Sequence, residues 1–147
     1  MKSIFDEKTY QEVKSRMKAL SPDSERQWGK MTVAQMLWHC QLPIRIAIKN
    51  KEPKRKSNPL IRLLFKKSLY NDKPWRKNLP TVKAAKATEE KDFEKEFRTL
   101  SEMITELHHL KGRENWNPHP IFGEFTPEQW GKLQYKHLDH HLKQFGV

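Results

Sequence analysis

Residues 126–146 read TPEQWGKLQYKHLDHHLKQFG, a stretch with both ends marked. Thr126 is suited to an N-cap, Pro127 to the first helical position, and Gln129 completes a capping box. Gly146 supplies the stop. In the helix so defined, at about 100° per residue, Trp130, Leu133, Gln134, His137, Leu138, His141 and Phe145 share one stripe. A core-facing stripe should be apolar, yet this one holds two histidines four residues apart, with Gln134 one turn before the first. Side chains at i and i+4 stand above one another, so both imidazoles can aim at one atom, and a metal ion would use them. The plain alternative is two buried histidines, each hydrogen-bonded to a neighbour. By spacing alone His140 competes with His141 as the partner of His137. Direction separates them: His137 and His141 lie about 20° to either side of the Trp130 direction, whereas His140 lies about 80° away.

Upstream, the loop RENWNPHPIFGEF brings His119, Pro120 and Gly123 to where they can reach over the site, and Gly123 suits a positive-φ turn. Before it, a helix is expected from a Thr88 cap to about Lys111, with Gly112 as its stop and Phe93, Phe97, Leu100, Ile104 and Leu107 as its buried stripe. His108 and His109 suit its C-terminal end and are given no metal role. Thr32 and Gln35 form another capping box, so a helix begins near Val33. Its apolar face runs through Met36, Leu37, Cys40, Ile44 and Ala47, with His39 beside it. Pro43 removes the donor for the His39 carbonyl, so this helix bends beside His39 or ends there. Cys40 is either a soft ligand or, as usual for a lone cysteine on an apolar face, packing. The first helix spans about Asp6 to Leu20. A short one spans Pro59 to Leu69, between a basic loop (Asn50–Asn58) and an irregular connection (Asn71–Ala87). The pattern predicts an all-α chain: an antiparallel four-helix bundle, with a long crossover carrying the short helix between helices 2 and 3, in one domain over residues 1–147.

Composition narrows the function. The 147 residues carry a formal charge of +11. Much of the excess lies between Lys49 and Lys86, in KNKEPKRK, FKK and DKPWRK. No nucleic-acid motif or phosphate-cradling glycine loop accompanies it, so a solvated basic face is preferred to a specific nucleic-acid site. In the short helix Ile61, Leu64, Phe65 and Leu69 share a side, with Arg62, Lys66 and Lys67 among them. That pattern fits an anionic membrane surface or docking onto the bundle equally. No run is long and apolar enough for a membrane span, and the N-terminus lacks the apolar run of a signal peptide. A single cysteine excludes an intrachain disulfide framework and suits a cytoplasmic setting.

Three segments, WGKMTVAQMLWHC, HPIFGEFTPEQW and YKHLDHHLKQFG, together resemble the DinB-like (YfiT-like) superfamily of metalloenzymes. The closing HxxHHLxQFG is similar to a branch of domains of unknown function. The resemblance covers nearly the whole chain. It implies a four-helix bundle with one divalent metal held by three histidines, carried over here onto His39, His137 and His141. It also implies activities such as thiol-dependent S-transfer and isomerisation with low-molecular-weight thiols. Three neutral imidazoles leave positions for water or substrate, and zinc, nickel, iron and manganese all suit them.

The favoured expectation is a metal-dependent enzyme, a thiol transferase or hydrolase acting on a small molecule. Gln134, Trp130, His140 and His119 would stand behind the ligands or line the substrate pocket. No general base is evident beside the histidines, and Gln134 cannot be one. The rival is a non-catalytic binding module whose Lys49–Lys86 region contacts an anionic partner. Bundles often pair through exposed helix faces, which makes a homodimer a further expectation.

Overall fold

The computed structural model describes residues 1–54 and 57–147; Arg55 and Lys56 of the expected basic region lie outside the described residues. The described residues form helices α1 (Glu7–Lys18), α2 (Val33–Lys49), α3 (Pro59–Phe65), α4 (Phe93–His109) and α5 (Pro127–Gln144), with short 3-10 turns between them. They contain no β-strand, and the one isolated bridge joins His119 to Gly123. The fold is an all-α bundle of four long helices, with the short α3 in the crossover.

Hydrogen bonds between helices fix their directions. Ile4 N–H donates to the Gly131 carbonyl near the start of α5, and Arg16 reaches Asp139 and the Val147 carbonyl near its end, so α1 and α5 run the same way. Gln35 reaches the Glu89 carbonyl, Gln41 reaches Glu96, and Arg113 reaches the Ala47 carbonyl, so α2 and α4 also run the same way. The pairs oppose each other: His39 meets His137, and Pro43, one turn later on α2, accepts from Gln134, one turn earlier on α5. A connection as long as residues 50–92 is what returns the chain to begin α4 beside the start of α2.

Local chemistry explains the boundaries. Both capping boxes form, Thr32 with Gln35 and Thr126 with Gln129. Helix α2 does not end at Pro43 but continues to Lys49. Helix α4 begins later than the Thr88 cap implies. Asp92 caps it instead, accepting from the Lys95 N–H at 2.7 Å. Its C-terminal end tightens into a 3-10 turn over Leu110–Gly112. The short helix is α-helical only to Phe65, then a 3-10 turn over Lys66–Leu69. All of Pro59–Phe65 is exposed, so of the expected apolar side only Leu69, in the 3-10 turn, packs against the core. Gly146 has the expected left-handed backbone, φ 77°.

The core joins Val13 and Met17 of α1, Met36, Leu37 and Ile44 of α2, Ile104 and Leu107 of α4 and Leu138 of α5. Cys40 lies in it fully buried, and that burial pushes its thiol pKa far up, so it is a packing residue and not a thiolate. His108 is also structural: its two ring nitrogens meet the Ile4 carbonyl and the Glu7 carboxylate, at 2.9 and 3.0 Å, and its ring stacks on Tyr10.

Gly131 is where the N-terminal arm crosses α5. A Cβ there would stand 2.1 Å from Ser3 Oγ and 2.6 Å from the Phe5 ring. Gly131→Ala should therefore lower stability by about 1–3 kcal/mol through overpacking, although alanine is favoured by about 1 kcal/mol in an open helix. Chemical denaturation reads this directly; a stabilised variant would mean that the arm is not packed against α5.

Candidate metal centre

The capping box at Thr32 sets the register of α2 and the one at Thr126 that of α5, and the crossing of the two helices brings His39 against His137 and His141. One ring nitrogen from each of the three lies within 4.8 Å of the others. The Nε2 atoms of His39 and His137 are 3.1 Å apart. Nitrogens bound at about 2.0–2.1 Å around a tetrahedral ion stand about 3.3 Å apart, a spacing that the His39–His137 pair already approaches. His39 and His141 are buried; His137 keeps part of its surface exposed, but its Nδ1 is enclosed.

The remaining bonds decide which nitrogen each ring presents. His39 Nδ1 lies 2.8 Å from the Ala85 carbonyl oxygen. A carbonyl only accepts, so that nitrogen carries the hydrogen and, in the neutral ring, Nε2 is left as a bare lone pair. His141 Nδ1 lies 2.8 Å from Gln144 Oε1, and the Gln144 amide is itself oriented by donating from Nε2 to the Trp28 carbonyl at 2.8 Å. His141 therefore also donates from Nδ1 and turns a bare Nε2 inward. Metal-binding histidines are held from behind in this way. His137 Nδ1, by contrast, is buried without a partner, and so is Gln134 Oε1. Desolvation, reinforced by the neighbouring rings, holds His137 well below the ordinary histidine pKa, and His141 is brought down to about 3. Burial lowers His39 too, against the opposing effect of its Ala85 bond. The donor set is neutral, as coordination requires, and the three histidines can hold a metal ion.

The crossover covers this cluster. Trp75 meets the rings of His137 and His140 edge-on, with centroids at 5.9 and 5.7 Å, and its indole N–H donates to the Ser68 carbonyl. Lys136 fixes the same loop from α5: its ammonium donates to the carbonyls of Ser68 and Asn71 and to Asn71 Oδ1, at 2.6, 2.9 and 2.8 Å. Burial lowers the Lys136 pKa. Ala85, Trp75 and Lys136 are absent from the residues picked out by sequence, and Gln144, though within the closing HxxHHLxQFG motif, was given no role. Gln144 alone carried a local signal, three residues after His141 on the same helix.

The other expected site residues fall into two groups. His140 sits beside His141 with Trp28 and Trp75 against its ring, and Gln134 holds the Pro43 carbonyl one turn from His39. His119 and Trp130 belong to an aromatic cluster with Phe122, Phe125 and Trp116. There His119 Nδ1 accepts from the amides of Ile121 and Phe122, closing the turn at Gly123 (φ 71°), and burial lowers its pKa to about 4.

Residues 5–146 match the model of a family described as Protein of unknown function (DUF1569). No curated protein and no solved structure matches the chain.

The lowered pKa values set the pH dependence of the metal-free fold. A histidine neutral in the fold takes up a proton more readily when unfolded, so its stabilising contribution is complete above the ordinary value of 6.5 and is lost as pH falls; for His141 that loss runs down to about 3. Across that window each such group should cost about 1.4 kcal/mol per pH unit. Denaturation of metal-free protein from pH 7 to 4.5 should show this slope, and His141→Phe should flatten it. An unchanged slope would mean that His141 is not a buried neutral group.

Proposed function

The chain belongs to the DUF1569 family of proteins of unknown function, and we propose that it is a metal-dependent enzyme with one divalent ion held by His39, His137 and His141. The observation that carries this reading is the convergence of three ring nitrogens, two of them bared by Nδ1 bonds to Ala85 and Gln144. The bundle with its long crossover and the three-histidine set support kinship with the DinB-like superfamily. Zinc, nickel, iron and manganese all suit an all-imidazole donor set.

A bound ion would supply Lewis acidity, lowering the pKa of a water or a substrate thiol in the position left open by three ligands. The chain's own residues hold and shape that position. Gln134, fixed through its Nε2 to Pro43, keeps a buried Oε1 free to accept a hydrogen bond from a substrate donor. Trp75 limits access of water to His137, and Trp28 and His140 wall the side beside α5. The substrate we propose is a small molecule, and transfer to a low-molecular-weight thiol is favoured over hydrolysis by the resemblance.

The test is metal content after purification without a histidine tag. About one divalent ion per chain is expected, released by acid as the imidazoles protonate. His39→Ala, His137→Ala and His141→Ala should each lose it, and His140→Ala should only weaken its binding, with circular dichroism confirming the fold of each. Gln144→Leu, which removes the support behind His141, should weaken binding about 10–100-fold. Failure to take up zinc, nickel, iron or manganese would defeat the proposal. Loss in His140→Ala with retention in His141→Ala would make the ligand set wrong.

A further inference from the structure

Helix α3 turns its apolar residues to solvent. Leu63 is 79% exposed, Leu60 62%, Leu64 61% and Phe65 54%. On a helix these four, with Ile61, cover a continuous arc, and Arg62 falls on the opposite side. Arg62 and Lys66 touch the rest of the chain, while Arg62 and Lys67 keep exposed surface. Arg62 packs close over the Gly123 turn, and Lys66 donates to the Glu124 carbonyl and lies 5.0 Å from the Phe125 ring centre. The helix is thus seated by its polar side and presents its apolar side, the reverse of a helix that belongs to a core. Ile121, in the turn on which Arg62 packs, is also exposed.

The surrounding charge selects the occupant. The sequence from Lys49 to Lys67 carries eight Lys or Arg residues against the single Glu52. A second copy of the chain would bring the same cationic segment and a further charge of +11. Nucleic acid would neutralise that charge but leave five large apolar side chains in water. An anionic lipid bilayer meets both demands, with hydrocarbon for the leucines and phenylalanine and headgroup charge for the lysines and arginines. Insertion would be shallow, since a seven-residue helix is about 10 Å long and no described helix is long and apolar enough to cross a membrane.

We propose that α3 and its cationic flanks form a docking surface for anionic phospholipid membranes. The surface is independent of the metal centre. The test is co-sedimentation with vesicles of phosphatidylcholine alone and of phosphatidylcholine containing about one third phosphatidylglycerol, at low and high salt, for the wild type and Leu63→Asp/Leu64→Asp. Neither leucine is buried, so the variant should fold and keep the metal content of the wild type; circular dichroism and metal analysis check this. Wild type should bind the anionic vesicles, bind the neutral ones far more weakly and weaken with salt, and the variant should lose about tenfold or more of its binding. Absence of binding, equal binding to both vesicles or undiminished binding by the variant would overturn the proposal. So would a dimer in sedimentation velocity that the substitutions split, which would assign the surface to a second copy.

Discussion

Three imidazoles packed where two helices cross, His39 and His141 buried and His137 partly so, must remain neutral and must find partners for their nitrogens; this constraint governs the centre of the molecule. His39 satisfies it through the Ala85 carbonyl and His141 through Gln144. Each of these bonds spends the ring's one hydrogen on the outer nitrogen and leaves the inner one as a lone pair. Lone pairs that face one another repel, so the cluster is completed by a proton shared between rings or by a cation. The 3.1 Å approach of the His39 and His137 Nε2 atoms marks where that completion is needed, while His137 Nδ1, elsewhere on its ring, stays unpartnered.

The topology follows from the same requirement. Because α2 and α4 run together and α1 and α5 run together, the crossover must pass along the bundle, and in passing it supplies Ala85 behind His39 and Trp75 against His137. Lys136 holds that loop through three oxygen acceptors, at the cost of desolvating an ammonium. The crossover is part of the centre, and its other end, α3, faces away from the bundle with its leucines in solvent.

Much of this was legible in the sequence because its causes are local. The boxes at Thr32 and Thr126 depend on residues three apart, and the stripe that separates His141 from His140 depends only on the helical repeat. The start of α4 was less legible because Thr88 and Asp92 can both cap, and the choice falls to Asp92, whose side chain reaches the Lys95 N–H. Ala85 was invisible because its contribution is a backbone carbonyl, which any residue offers. His119 looked like a residue poised over the site, yet its nearest polar partners are the amides of its own turn. The exposure of α3 could not be read from its pattern, since apolar residues beside basic ones suit a buried and an interfacial helix alike; only the seating of Arg62 and Lys66 on the Gly123–Phe125 segment decides it.

Metal binding by the proposed set requires His39 and His141 to be neutral and protonated on Nδ1, with Nε2 free to coordinate. Long-range proton–nitrogen correlation spectra of the histidine rings, recorded near neutral pH on metal-free protein and again after one equivalent of zinc, test it most directly. The account predicts Nδ1–H tautomers for both residues before addition, and afterwards displaced Nε2 resonances for His39, His137 and His141, with little change at His119. Nε2–H tautomers at His39 and His141, or spectra that zinc leaves unchanged, would contradict it.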